Sequence, residues 1–301
     1  MGLKEVYRDL RHSLVCFTPI FKDPSHGEAR MGVREFPPIF GTGFVVHPDG
    51  LIATNDHVIK AFAQQPRPIG STDWPVRGFV LVMTKHGSFT LPLEIKGVFR
   101  LSDMQTGTNY YGPKLPDIGL VMVKMRGLRA LQLAPRDRMY EEGELVATAG
   151  FPMGRDKLTA PGWMHQLSAT LQTGIISDVH PFACASPHGF TLNAMIQGGA
   201  SGSPVFEPET GTVLGVAYAS VNDPYLIHQD TGGLTLFGQN PTNYSWAVAS
   251  HFLANLIDAV LKSSMFSEGL SELPDAHDLV KGKKGVSVFN EEPLGEVELP
   301  W

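Results

Sequence analysis

The chain has 301 residues, a formal net charge of −6, 43% hydrophobic and 18% charged residues. That balance excludes a disordered chain, and the lack of a basic stripe speaks against nucleic acid as a partner. No apolar run approaches the ~18 residues of a membrane span, and 32 glycines with 23 prolines favour short elements joined by tight turns.

In chain order, the amino end (1–17) carries charge throughout and lacks the apolar stretch of a secretory signal. Cys16 and Cys184 are the only cysteines. Pairing of the two is one option, but so sparse a set reads better as thiols of a reduced, cytoplasmic compartment. Short apolar runs bounded by turn residues predict strands at 13–18, 42–47, 50–54, 78–84, 89–98 and 117–123. His47-Pro48-Asp49-Gly50 joins two of them as a hairpin, since proline presets φ and Asp-Gly tolerates the left-handed end of a turn. Residues 60–77 and 101–116 read as long surface loops. A second set of strands is predicted at 145–150, 164–171, 173–178, 190–196, 203–207, 212–219 and 243–248.

One helix is predicted over 250–263, where Phe252, Leu253, Leu256, Ile257, Val260 and Leu261 share one face and Ser250 is placed to cap it. About six strands per half, with a break near 125–144, predict an all-β chain of two antiparallel six-stranded barrels and a C-terminal helix. The expected units are 1–130, an N-terminal barrel with the His and Asp candidates, and 131–263, a second barrel with the Ser candidate and the closing helix. Residues 264–301, without sustained period, are expected to be an irregular tail.

Three segments carry candidate chemistry. Leu51-Ile52-Ala53-Thr54-Asn55-Asp56-His57 is an apolar strand ending in a polar knot, which puts His57 at a strand end before a loop. In Leu115-Pro116-Asp117-Ile118-Gly119-Leu120, an acid opens an apolar strand. Its burial is costly unless paired, and a histidine Nδ1–H is a suitable partner. Asp56 is the rival acid, but its place beside His57 should turn its side chain away. Gln197-Gly198-Gly199-Ala200-Ser201-Gly202-Ser203-Pro204 suits an exposed hydroxyl on a tight turn with N–H groups aimed at a developing oxyanion. Read singly, these are also a surface histidine, a solvated acid and an ordinary glycine-rich turn; their order over two β-rich halves favours the catalytic reading.

Residues 41–59 (GTGFVVHPDGLIATNDHVI), 116–124 (PDIGLVMVK) and 195–206 (MIQGGASGSPVF) resemble the His, Asp and Ser blocks of trypsin-like, chymotrypsin-fold serine peptidases, specifically the HtrA (Deg) branch. Segments 143–154, 173–177 and 244–248 resemble further strands of that branch, so the likeness runs in order over 13–263. Only 264–301 remain after the helix, too few for the PDZ domain usual in the branch. Ala200 stands where digestive relatives carry an acid for zymogen activation.

The resemblance implies a serine endopeptidase with His57, Asp117 and Ser201 as its triad and the N–H groups of Gly199 and Ser201 as its oxyanion hole. It places Asn193–Gln197 and Tyr218–Ser220 around the specificity pocket, with Met195 near the base and Tyr218 and Ser220 on the wall. No acid falls there, so cleavage after small or medium apolar residues is expected. The expected partner is a protein or peptide substrate, with no nucleic acid and no membrane; the oligomeric state stays open. No cofactor is implied, and Asp178, His180 and His188 lack compact metal-ligand spacing. The alternative is a catalytically inactive chymotrypsin-fold binding module. An α/β-hydrolase is disfavoured by Ser203 where its motif needs glycine, and by the His–Asp–Ser order.

Overall fold

The computed structural model describes residues 1–19, 39–65, 67, 73–102, 115–152, 168–196, 198–229, 235–268, 270–287 and 292–301. A short helix α1 (Leu3–Leu10) leads into β1 (Leu14–Pro19), followed by β2 (Gly41–His47), β3 (Leu51–Thr54), α2 (Asp56–Ala63), β4 (Val76–Thr84), β5 (Gly87–Arg100) and β6 (Gly119–Val123). The sheet order β5-β4-β1-β2-β3-β6 closes because β5 also pairs with β6. The predicted hairpin joins β2 to β3, with Gly50 at φ +87° and its N–H on the His47 carbonyl at 3.1 Å.

The second barrel is built from β7 (Leu145–Gly150), β8 (Thr170–His180), β9 (Gly189–Leu192), β10 (Pro204–Phe206), β11 (Val213–Gln229) and β12 (Thr235–Ala249), closed in the order β10-β11-β12-β9-β8-β7. Both barrels are six-stranded and antiparallel, a chymotrypsin-like double barrel. The two strands expected at 164–171 and 173–178 are one strand from Thr170, and 164–167 lie outside the described residues. Strands expected at 212–219 and 243–248 extend into a ribbon whose pairing runs from Gly215↔Ala249 to Gln229↔Thr235.

Period-two alternation divides the strands between cores. In β1, Val15 and Phe17 fill the first barrel while Leu14 and Cys16 face outward; in β6, Val121 and Val123 point in while Leu120 and Met122 point out. From the second barrel, Phe206, Val213, Val216 and Val248 turn toward those outward residues, leaving Val205, Leu214, Ala217 and Ala247 for its own interior. Three apolar layers result, one inside each barrel and one between them. The middle layer fixes how the barrels face each other, and therefore the cleft.

The predicted helix is α3 (Ser250–Leu261), which lays Leu253, Leu256 and Val260 on the middle layer. Ser250 does not cap it: Ala249 holds the N-cap position, and the Ser250 hydroxyl lies 3.0 Å from the buried Tyr140 hydroxyl instead. The tail also departs from expectation. It contains α4 (Ser264–Ser267), α5 (Ala276–Val280), β13 (Lys284–Val286) and β14 (Pro293–Glu296). β13 adds to β5 through Val286↔Ser88, Ala276, Val280 and Val297 are buried on the first barrel, and Trp301 Nε1 donates to the Gly127 carbonyl at 3.0 Å. Its order comes from these long-range partners, which leave no local period to read.

Two imidazoles make the fold acid-sensitive. Burial and the neighbouring Arg11 and Arg129 charges lower His12 to about 4. Burial, with His188 and Arg136, lowers His251 to about 4. Between pH 6.5 and 4 the unfolded chain therefore binds protons that the folded chain refuses, so stability rises with pH across this window and is lost as pH falls through it. Thermal midpoints should fall over that interval, and His251→Phe should flatten the slope. An unchanged slope in the variant would remove His251 from the account.

Candidate active site

The site begins where β3 runs into α2. The sequence reading put His57 at a strand end before a loop; it sits instead in the first turn of α2, whose Val58, Ile59 and Phe62 are buried in the first barrel. Asn55 holds the N-cap position without capping through its side chain. Asp117 takes over that role from the segment just before β6. Its Oδ1 accepts the His57 backbone N–H at 2.9 Å, and its Oδ2 lies 2.5 Å from His57 Nδ1. Asn55 Nδ2 donates to the Asp117 carbonyl at 2.6 Å and anchors the acid from behind. A carboxylate at a helix N-terminus is favoured by the helix dipole, so one acid both starts α2 and orients the imidazole. The His57 side chain is 46% exposed and that of Asp117 16%, an open ring over a mostly covered acid.

Asp56, the rival acid, turns away as expected. It pairs with Lys60 at 2.7 Å and with Arg100. Burial pushes its carboxyl up, but the Arg100 and Lys60 hydrogen bonds outweigh that and hold it below the usual range.

The serine turn is clamped between the barrels. The Thr42 N–H donates to the Ser201 carbonyl at 2.8 Å, and Gly202 N–H donates to the Ala217 carbonyl at 2.8 Å. Gly199 and Gly202 have φ of +92° and +88°, a region that costs any other residue roughly 1–2 kcal/mol. A Cβ on Gly202 would lie 2.0 Å from the Thr42 carbonyl oxygen and 2.4 Å from Thr54 Oγ1. Gly202 therefore packs directly on the end of β3, three residues before His57. Gly202→Ala should cost about 2–4 kcal/mol in denaturant unfolding; a loss below about 0.5 kcal/mol would contradict this packing.

Among the described residues, the N–H groups of Gly199 and Ser201 have no acceptor within the chain, as an oxyanion hole requires. The Ser201 hydroxyl donates to the Tyr218 carbonyl at 3.3 Å and not to His57. Around the expected pocket, Gln172 Nε2 donates to the Met195 carbonyl at 2.9 Å, Ile196 N–H donates to Ser245 Oγ at 2.9 Å, and Ile175 N–H donates to Asn193 Oδ1 at 2.7 Å. The 193–196 segment is thus tied down on three sides, while Gln197 lies outside the described residues. Ser220 is half-buried and pairs with Ser245. The Tyr218 ring packs against the layer between the barrels, and burial with the nearby Asp117 carboxylate raises its hydroxyl to about 12. Sequence reasoning missed two supporting residues, Asn55 and Thr42. The polar knot before His57 pointed toward Asn55, but Thr42 gave no signal.

Residues 41–216, more than half of the chain, match the family model of the trypsin-like peptidase domain. The chain belongs to the trypsin-like peptidase family. Among solved structures, this chain resembles the HtrA-type protease AlgW with a tripeptide, at 14% identity and a TM-score of 0.50, over 87% of this chain and 64% of that one. A Ser-to-Ala variant of AlgW with a decapeptide gives 14% identity and 0.50, over 87% and 67%. A Ser-to-Ala mutant of Rv3671c of M. tuberculosis H37Rv, in an inactive form, gives 18% identity and 0.46, over 86% and 91%. At these identities the AlgW likeness is one of fold, and the chain spans about 64% of the AlgW chain's length. No curated protein matches the sequence.

Proposed function

We propose that this chain is a serine endopeptidase acting on proteins or peptides through an acyl-enzyme, with His57, Asp117 and Ser201 as its triad. The observation that carries the reading is the two-point grip of Asp117 on His57, ring Nδ1 and backbone N–H together, beside a serine turn packed on the same strand end. That grip keeps a proton on His57 Nδ1, donated to Asp117 Oδ2, and leaves Nε2 free to act as a base. The Ser201 hydroxyl leaves the Tyr218 carbonyl by side-chain rotation, gives its proton to His57 and bonds to the scissile carbonyl carbon. The oxyanion is taken by the N–H groups of Gly199 and Ser201, an interaction worth ~3–4 kcal/mol per donor. His57 then returns the proton to the leaving amine, and water, activated the same way, releases the acid product and restores Ser201.

The AlgW structures hold a tripeptide and a decapeptide, which supports an extended peptide in the same cleft here. Met195, Tyr218 and Ser220 remain the proposed pocket, although the position of the Tyr218 ring moves the burden of selectivity to the 193–196 side. With no acid there, cleavage should follow small or medium apolar residues. Two free thiols, Cys16 buried and Cys184 half-buried, support a reducing, cytoplasmic setting.

One observation favours a second reading, a binding module without turnover: the Ser201 hydroxyl is engaged by Tyr218 rather than by His57. Incubation with casein and mass-spectrometric mapping of the cut sites decides between them. Fragments ending in small or apolar residues support the proposal. A dominant Lys or Arg preference overturns the pocket, and intact casein favours the binding module.

A further inference from the structure

We infer that Thr42 is a positioning residue for the oxyanion turn, an inference resting on the peptidase reading above. Thr42 lies in β2 of the first barrel and is fully buried. Each of its polar groups is engaged. Its N–H donates to the Ser201 carbonyl at 2.8 Å, and its carbonyl accepts the Thr54 hydroxyl at 2.7 Å. Its own hydroxyl donates to the Gly199 carbonyl at 2.8 Å and accepts the Phe151 N–H at 3.0 Å. One residue thus holds both ends of the Gly199–Ser201 turn from across the cleft, and its hydroxyl is held in turn by the residue that follows β7. Gly150 makes the space: a Cβ there would come within 2.9 Å of Thr42 Oγ1 and 1.9 Å of Ser203 Oγ.

The carbonyls of the turn show what this does. Gly199 O is taken by the Thr42 hydroxyl, Ala200 O by Ser203 through its N–H at 3.0 Å and its hydroxyl at 2.5 Å, and Ser201 O by the Thr42 N–H. All three are drawn into protein contacts, and among the described residues the N–H groups of Gly199 and Ser201 have no acceptor. The Gly199–Ala200 peptide lies between the two peptides that carry those N–H groups, so the Thr42 hydroxyl fixes the segment that sets their spacing. A free N–H pair held this way is a preorganised anion-binding concavity.

Valine has the shape of threonine but would strand the Gly199 carbonyl and the Phe151 N–H, whereas serine keeps both bonds. Misplacement of catalytic donors by about 1 Å costs on the order of 10²-fold in rate. For Thr42→Val we expect kcat on a peptide amide to fall about 10–100-fold with KM nearly constant. Inhibition by a peptide aldehyde, whose adduct carries an oxyanion, should weaken by a similar factor, and Thr42→Ser should restore both. A folded Thr42→Val with wild-type kcat overturns the inference. So does a loss shared equally by KM, which would mark a general structural role. Should Thr42→Val fail to fold, Thr42→Cys, with only a weak S–H donor, carries the same comparison against Thr42→Ser. A wild type that cleaves nothing overturns the peptidase reading instead.

Discussion

Ser201→Ala should lower kcat on a cleavable peptide by about 10⁶-fold, because it removes the only atom that bonds to the substrate carbonyl. The change is small for the fold. The Ser201 hydroxyl makes one long bond, 3.3 Å to the Tyr218 carbonyl, while the clamp on the turn runs through backbone groups of residues 199–203 that alanine retains. The thermal midpoint should therefore stay near that of wild type. Binding of the uncleaved peptide should persist, since the N–H groups of Gly199 and Ser201 survive. Steady-state kinetics on a chromogenic peptide beside a melting curve checks both halves. A folded variant that keeps more than a few per cent of the wild-type rate would show that Ser201 is not the nucleophile.

Asp117→Asn should lower kcat by about 10⁴-fold at neutral pH. The reason lies in the two-point grip. Asparagine can keep its oxygen on the His57 backbone N–H, where Asp117 Oδ1 sits at 2.9 Å, but its amide NH₂ then meets His57 Nδ1. That contact is satisfied only if Nδ1 accepts, which moves the imidazole proton to Nε2, the atom that must take the Ser201 proton. The alternative flip repairs the ring and strands the N–H at the start of α2. Either choice loses something, and loss of the charge at the helix N-terminus should cost a further ~0.3–1 kcal/mol of stability. Equal activity of the two proteins would mean that another group orients His57.

Features set by neighbouring residues were readable from the chain. The Pro48-Asp49-Gly50 turn, the helix from Ser250 and the strand after Asp117 all rest on local pattern, and each forms where expected. The likeness of the three motif blocks to trypsin-like peptidases also foresaw the double barrel. What escaped depends on distant partners. Local pattern predicts a polar knot and then a loop from residue 60 where α2 forms, because the N-terminal cap of that helix comes from Asp117, 60 residues away. β13 forms on Ser88 of β5, which no stretch of 264–301 foreshadows. Thr42 is hidden for the same reason: in sequence it is a small polar residue between two glycines, and its four partners are Ser201, Gly199, Phe151 and Thr54. The direction of the Ser201 hydroxyl is a rotamer choice, which sequence does not encode.

The most direct test is covalent labelling of the native protein with a fluorophosphonate, followed by intact-mass measurement and peptide mapping. The account predicts a single adduct, located on Ser201, whose formation is lost when His57 is replaced by alanine. Labelling at another residue, or at Ser201 with equal speed once the imidazole is gone, would contradict a hydroxyl activated by its neighbour across the cleft.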